Sequence, residues 1–194
     1  MTNLVLTRHG ESVWNKQNLF TGFKDVELTE QGILEAKQAG LEIKEKNIRF
    51  DAVFTSTLKR AYTTAELLLK ESEINTDLVT KMIKHDDLRE RDYGDLTGLN
   101  KAETAEKYGK DQVHIWRRSY DVPPPGGECL KDVVERVEPY YRSQIEPLLK
   151  EGKTILIAAH GNSLRALLII LGIRTPEDIN EFELATGKPL YLDI

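Results

Sequence analysis

Leu4-Val5-Leu6-Thr7-Arg8-His9-Gly10 near one end of the chain and Ile155-Leu156-Ile157-Ala158-Ala159-His160-Gly161 near the other share a pattern. Each is an aliphatic run containing β-branched residues that stops at a histidine followed by glycine. Such runs read as strands buried on both faces, as in a parallel sheet. Placed side by side in one sheet, the two strands bring His9 and His160 out at the same carboxyl edge. Open α/β sheets hold their ligands at that edge. Arg8 and Arg60 add fixed positive charge there.

Outward from these strands, helices and strands alternate. A loop with Trp14, Asn15, Thr21 and Gly22 leads to a helix capped by Thr29, with Glu30 at its positive end. Ile33, Ala36, Gly40 and Ile43 form its inward face, to about Lys46. Asp51 to Thr55 reads as a second strand. Ser56 or Thr57 opens the next helix, with Leu58, Ala61, Ala65 and Leu68 inward and Arg60 in the first turn. From Lys81 to Pro125 the alternation breaks into a polar, charged excursion over the carboxyl edge, helical from Lys101 to Tyr108 and from Asp111 to Ser119. Pro123-Pro124-Pro125-Gly126-Gly127 is a stiff, then flexible connector whose glycine pair reads as a hinge or turn. A long helix follows, with Val134, Val137, Tyr141 and Leu148 on one face, bent or broken at Pro139 and Pro147. A strand from Thr154 to Ala159, a helix from about Ser163 to Leu171 and a strand from Pro189 to Asp193 complete the pattern. The expected fold is α/β, a three-layer α/β/α sandwich with a mostly parallel central sheet, in one domain over residues 1–194.

Composition narrows the function classes. The 194 residues are 40% hydrophobic and 30% charged, the balance of a soluble globular protein. No apolar run is long enough to cross a bilayer. The first residues lack the basic segment and apolar stretch of a signal peptide, which predicts a cytoplasmic protein. The one cysteine, Cys129, excludes an internal disulfide and suits a reducing compartment. A net charge of -5 argues against a general nucleic-acid binder and makes local basic clusters informative. No spacing of Cys and His suggests a metal.

The chemistry follows from the residue types. A neutral imidazole such as His9 is nucleophilic near neutral pH, and attack on phosphorus would give a covalent phosphohistidine. A phosphoryl group in transfer spreads charge over three oxygens, so catalysis rests on positioning and fixed positive charge. Arg8, Arg60 and His160 are candidates for that clamp, arginine because its planar fork meets two oxygens at once. Gly10 and Gly161 let backbone approach a ligand. Asn15 offers an amide donor, and the Gly161 and Asn162 backbone amides lie at a helix start. Leu88-Arg89-Glu90-Arg91-Asp92-Tyr93-Gly94 is by itself a solvated charge run, yet a transfer to or from a hydroxyl needs a proton carrier, and Glu90 is the candidate. His85 and His114, in polar surroundings without partner motifs, read as surface residues.

Taken together these residues resemble a known family. Leu6-Thr7-Arg8-His9-Gly10-Glu11-Ser12 is similar to the phosphohistidine signature of the histidine phosphatase superfamily. The match extends through Trp14-Asn15, Phe20-Thr21-Gly22-Phe23, Asp25-Val26-Glu27-Leu28-Thr29 and Thr55-Ser56-Thr57-Leu58-Lys59-Arg60-Ala61. Glu90-Arg91-Asp92-Tyr93-Gly94, Gly98-Leu99-Asn100-Lys101, Tyr108-Gly109 and Trp116-Arg117-Arg118 resemble the cofactor-dependent phosphoglycerate mutases. The resemblance covers nearly the whole chain. It implies interconversion of 3-phosphoglycerate and 2-phosphoglycerate, primed by 2,3-bisphosphoglycerate and needing no metal. His9 would carry the phosphoryl group, Arg8, Arg60, His160, Asn15 and Gly161 would hold it, and Glu90 would be acid and base. Thr21, Gly22, Tyr93, Lys101, Arg117, Arg118 and Asn162 would bind the substrate's carboxylate and second phosphate. The partners implied are small phosphoglycerates, with neither nucleic acid nor membrane, and a homo-oligomer, a dimer rather than a tetramer. Longer members carry an insertion after the position of Val122, often tied to subunit contacts, and a lysine-rich tail beyond the last strand. A chain ending at Ile194 without that tail is expected to leak more phosphohistidine to water. The rival readings are a phosphatase of the same superfamily acting on a small phosphomonoester or sugar bisphosphate, and a non-catalytic phosphate-binding module.

Overall fold

The structure, a computed structural model, describes residues 2–194. Five strands form one sheet in the order β3-β2-β4-β1-β5. They are β1 (Leu4–Arg8), β2 (Ala52–Thr55), β3 (Ile83–Lys84), β4 (Ile155–Ala159) and β5 (Pro189–Leu192). β1 pairs in parallel with β4, Arg8 opposite Ala159, and antiparallel with β5. β2 runs parallel to β4 and to β3. The two histidines therefore leave neighbouring strands at the same level, as the sequence implies.

Side-chain alternation along the strands sends residues to two cores. Leu4, Leu6, Ile155 and Ile157 face one side, where Val133, Val137, Leu164 and Leu167 pack on them. Val5, Leu156 and Ala158 face the other, against Ala39, Ile43, Ala65 and Leu68. With an apolar surface on each face, the sheet is covered by helices on both, giving three layers. α2 (Glu30–Glu45) and α3 (Lys59–Ser72) lie on one side, and α6 (Leu130–Tyr140) and α8 (Gly161–Ile170) on the other. The remaining helices are α1 (Val13–Lys16), α4 (Lys101–Tyr108), α5 (Lys110–Arg118) and α7 (Glu146–Lys150).

Several expectations are corrected in detail. α2 is capped by Thr29, whose hydroxyl accepts from the Gly32 amide at 3.1 Å. Its buried face is Gly32, Ala36, Ala39, Gly40 and Ile43, with Ile33 only half-buried. α3 starts at Lys59, after the two residues expected to open it, because both hydroxyls are engaged elsewhere. Ser56 Oγ meets His160, and Thr57 Oγ1 donates to Asp86 at 2.6 Å. The excursion contributes the short edge strand β3, which the sequence did not suggest. The long helix is three pieces. Pro139 and Pro147 supply no amide hydrogen, and between them Tyr141–Ile145 widens into a π turn. Its buried positions are Leu130, Val133, Val137, Tyr140, Tyr141, Ile145 and Leu149, while Val134 and Leu148 are half-buried at the margin. α8 opens at Gly161, two residues before the expected start, since His160 occupies the N-cap position.

The proline-glycine connector is a packed turn. Gly127 N–H bonds to Pro124 O at 3.0 Å, and Asp95 N–H bonds to Pro125 O at 2.9 Å. His85 lies at the surface, its side chain 44% exposed, but it is not without partners. It stacks on Tyr140 with ring centroids 4.1 Å apart, and its Nδ1 accepts from the Asp87 amide. His114 is exposed.

Candidate active site

His9 follows β1 directly, and its amide extends the ladder to Ala159 O at 3.0 Å. Its ring is buried, 2% exposed. Nδ1 lies 2.7 Å from Gly10 O. A carbonyl oxygen only accepts, so Nδ1 carries the proton and Nε2 keeps a free lone pair. Gly10 is itself held: its N–H donates to Thr64 Oγ1 at 3.0 Å, and Thr64 donates to Arg60 O at 2.7 Å. Only glycine fits here, since a Cβ on Gly10 would stand 2.2 Å from Gly32 O in the first turn of α2. Burial, then the charges of Arg60 and Arg8, hold the His9 pKa well below the ordinary histidine value. The ring is therefore neutral near pH 7.

His160 stands beside it, ring centroids 5.1 Å apart at 61°. It is fully buried. Its Nε2 lies 2.7 Å from Ser56 Oγ, which also accepts the Leu58 amide at 3.2 Å and has its own proton left to donate to the ring. His160 Nδ1 is enclosed and faces the Ser163 amide in the capping arrangement that opens α8. Burial, then Arg60, His9 and Arg8, push its pKa well down.

Arg60 is 1% exposed and donates to Lys24 O and Gly22 O, both at 2.8 Å. It thus also fixes the loop that carries Thr21 and Gly22. Burial lowers its pKa to about 10, against the pull of Glu90 and Asp25, and it remains a cation at neutral pH. Arg8 donates to Leu184 O at 2.9 Å, and its Nε is buried without a partner. Glu90 Oε1 accepts from the amides of Arg91 at 2.8 Å and Asn162 at 3.1 Å. Burial pushes the Glu90 carboxyl up, but the Arg91 amide, Arg60, Arg8 and Asn162 outweigh it and leave the pKa below the usual carboxylate range. The Asn162 amide, expected to face a ligand, is thus engaged by Glu90.

A cavity of about 190 Å³ opens beside these groups. It is lined by Arg8, Asn15, Thr21, Gly22, Glu90, Tyr93, Lys101, Arg117, Arg118, Gly161, Asn162 and Arg165. All but Arg165 are sequence-predicted site residues. The other three, His9, His160 and Arg60, are buried next to the cavity rather than in its open wall. Asn15 accepts the Ser12 amide through Oδ1, which leaves its NH₂ for the cavity. Five cationic side chains and one carboxylate line this wall, a setting for an anion with more than one charge. Tyr93 is tied to Arg91 at 3.1 Å. Burial pushes the phenol up, but the charge and hydrogen bond of Arg91 together with the Lys101 charge outweigh it, leaving the pKa below its ordinary value.

Sequence reasoning missed four residues. Ser56 looks like a helix cap, and Thr64 is an unremarked helix residue. Arg91 sits in an apparent charge run, yet it is 1% exposed and donates to Trp116 O and Arg117 O at 3.0 Å, fixing the end of α5 that bears Arg117 and Arg118. Arg165 follows Gly161 by one helical turn, and that spacing was the available signal. Among the described residues no group of three or more His, Cys, Asp or Glu is placed to hold a metal ion.

A family model described as histidine phosphatase superfamily (branch 1) matches residues 4–192. A Methylocella silvestris protein described as 2,3-bisphosphoglycerate-dependent phosphoglycerate mutase is 57% identical over 96% of this chain and 89% of its own length. A Methylobacterium protein of the same description is 58% identical over 96% of this chain and 88% of its own. Among solved structures, a mycobacterial glucosyl-3-phosphoglycerate phosphatase in complex with VO3 superposes with a TM-score of 0.83 at 25% identity, covering 100% of this chain and 91% of that one. Bacillus stearothermophilus YhfR superposes with a TM-score of 0.81 at 28% identity, covering 98% and 90%.

Proposed function

We propose, from the premise that this chain belongs to the histidine phosphatase superfamily and within it to the 2,3-bisphosphoglycerate-dependent phosphoglycerate mutases, that it interconverts 3-phosphoglycerate and 2-phosphoglycerate through a phosphohistidine at His9. One observation carries the reading. The cavity beside the histidine pair continues to a second set of cations, Lys101, Arg117 and Arg118. A plain phosphatase needs one anion pocket, whereas a mutase must hold a glycerate bearing two phosphates.

The residues fit 2,3-bisphosphoglycerate. The unpartnered Arg8 Nε and the bare Gly161 backbone meet a phosphoryl group, and the second cation set meets the other anionic end. That molecule supplies the phosphoryl group that loads His9. Nε2 of His9 holds it, while Arg8, Arg60 and His160 balance the charge that spreads over its oxygens. Glu90, ionised in the free site, takes the proton of the substrate 2-hydroxyl as that oxygen bonds to phosphorus and the P–N bond breaks. Glu90 returns the proton to the 3-oxygen when Nε2 takes the other phosphoryl group. Arg117, Arg118, Lys101 and Tyr93 retain the glycerate while it turns between the two steps.

This reading puts the enzyme in glycolysis and gluconeogenesis, in the cytoplasm, as one catalytic domain working in a homodimer without metal. No helix of the described residues is long and apolar enough to cross a membrane. The deciding assay is phosphoglycerate isomerisation with and without added 2,3-bisphosphoglycerate, with His9→Ala and chelator controls. The primer should stimulate turnover, His9→Ala should abolish it along with acid-labile phosphate on the protein, and chelator should leave it intact. Replacing Arg117 and Arg118 with alanine should depress isomerisation far more than His9 labelling. Hydrolysis without isomerisation would establish the phosphatase reading instead, and strict manganese dependence would end both.

A further inference from the structure

Arg165 is the one lining residue that neither the motifs nor the proposed chemistry uses. It lies on α8 four residues after Gly161 and so on the same helix face. It is 9% exposed. Among the described residues it makes no hydrogen bond or ion pair, and its Nε is enclosed without an acceptor. Other deeply buried arginines of this chain hold main-chain carbonyls through their terminal nitrogens, Arg60 on Gly22 O and Lys24 O, and Arg91 on Trp116 O and Arg117 O, although Arg91 Nε, like Arg165 Nε, has no acceptor. The one carboxylate near enough to act on it, Glu90, spends its hydrogen bonds on the Arg91 and Asn162 amides, and a buried guanidinium that bonds to nothing is unfavourable unless an anion arrives to meet it.

The surroundings say which anion. A Cβ on Gly161 would stand 3.2 Å from Arg165 Nη1, 3.7 Å from Arg8 Nε and 3.8 Å from Glu90 Oε2. Arg165, Arg8 and Glu90 thus converge on the space that Gly161 leaves open. Arg118 is the cation whose charge bears most on Arg165, after the effect of burial, and both lower its pKa. In 3-phosphoglycerate the carbon bearing the accepting hydroxyl also bears the carboxylate. With that hydroxyl at Glu90, the carboxylate is one bond away, beside the same gap. The planar fork of a guanidinium matches the two oxygens of a carboxylate.

We propose that Arg165 binds the substrate carboxylate and sets the preference of the site for a carboxylate-bearing phosphate ester. This rests on the mutase reading for the natural substrate, but its test does not. Inhibition constants for 3-phosphoglycerate and for glycerol 3-phosphate, which has CH₂OH in place of the carboxylate, are measured against hydrolysis of p-nitrophenyl phosphate. Wild type, Arg165→Gln and Arg165→Lys are compared, and each is also melted without ligand. Arg165→Gln should weaken 3-phosphoglycerate at least tenfold more than glycerol 3-phosphate, raise KM for isomerisation more than it lowers kcat, and melt no lower than wild type. Arg165→Lys should recover part of the preference. An unchanged preference overturns the proposal. So does a lower melting temperature with equal losses on both ligands, which would make Arg165 a packing residue. Absence of isomerisation in the wild type would sink the mutase reading and leave the inhibition comparison standing.

Discussion

Acidification should destabilise this fold through two side chains. His9 and His160 are buried and neutral, and burial with nearby guanidinium charge holds both pKa values well below the ordinary value. In the unfolded chain each titrates near ~6.5. Between that value and the folded pKa the unfolded state binds more protons, so stability rises with pH there. The contribution is complete above the unfolded pKa and is lost as pH falls toward the folded one. Each pH unit in that window costs about 1.4 kcal/mol per histidine, or about 2.7 kcal/mol for the pair. Against a typical domain stability of about 5–15 kcal/mol, one unit of acid removes a large share. Urea unfolding from pH 6.5 downward, in buffer free of phosphate and sulfate, measures the slope, and a range kept above pH 5 avoids the carboxylates. His9→Gln and His160→Gln should each halve the slope, and the double variant should flatten it. Equal slopes in wild type and all three variants would refute the assignment of buried, neutral rings.

Two further outcomes follow from the geometry. Glu90→Gln should lower isomerisation by about 10²–10⁴-fold, the range for a lost acid-base group. It should spare His9 labelling by p-nitrophenyl phosphate, whose leaving group needs little protonation, and equal losses in both assays would argue that Glu90 only shapes the pocket. Gly10→Ala should destabilise by about 1–3 kcal/mol or more by overpacking, because its Cβ would stand 2.2 Å from Gly32 O. It should also cut turnover at saturating substrate by tilting the carbonyl that orients His9, and urea curves together with kcat test both parts.

What was legible in the sequence is what local chemistry decides. The aliphatic runs ending in His-Gly specify strands and the level at which their histidines emerge. Thr29 marks a helix start because its hydroxyl has a nearby amide to satisfy. What was not legible depends on partners far along the chain. Ser56 has the chemistry of a cap, but its hydroxyl goes to a histidine 104 residues away. β3 is two exposed residues recognisable only through their pairing with β2. Arg91 resembles its solvated neighbours until the carbonyls at the end of α5 close around it. Arg165 looks like the polar face of an amphipathic helix, but α8 is buried on every side from Gly161 through Leu168, so there is no solvent face for it to occupy.

The placing of β1 between β4 and β5 has a consequence for synthesis on the ribosome. β1 is translated first, whereas its neighbours β4 and β5 follow about 150 and 185 residues later. At about 5–20 residues per second the nascent chain waits on the order of ten seconds or more with β1 unmatched. Fragments released before β4 emerges have no partner for His9, so incomplete translation products are chemically silent and are substrates for chaperones and proteases. Catalytic competence appears only when the polypeptide is nearly finished.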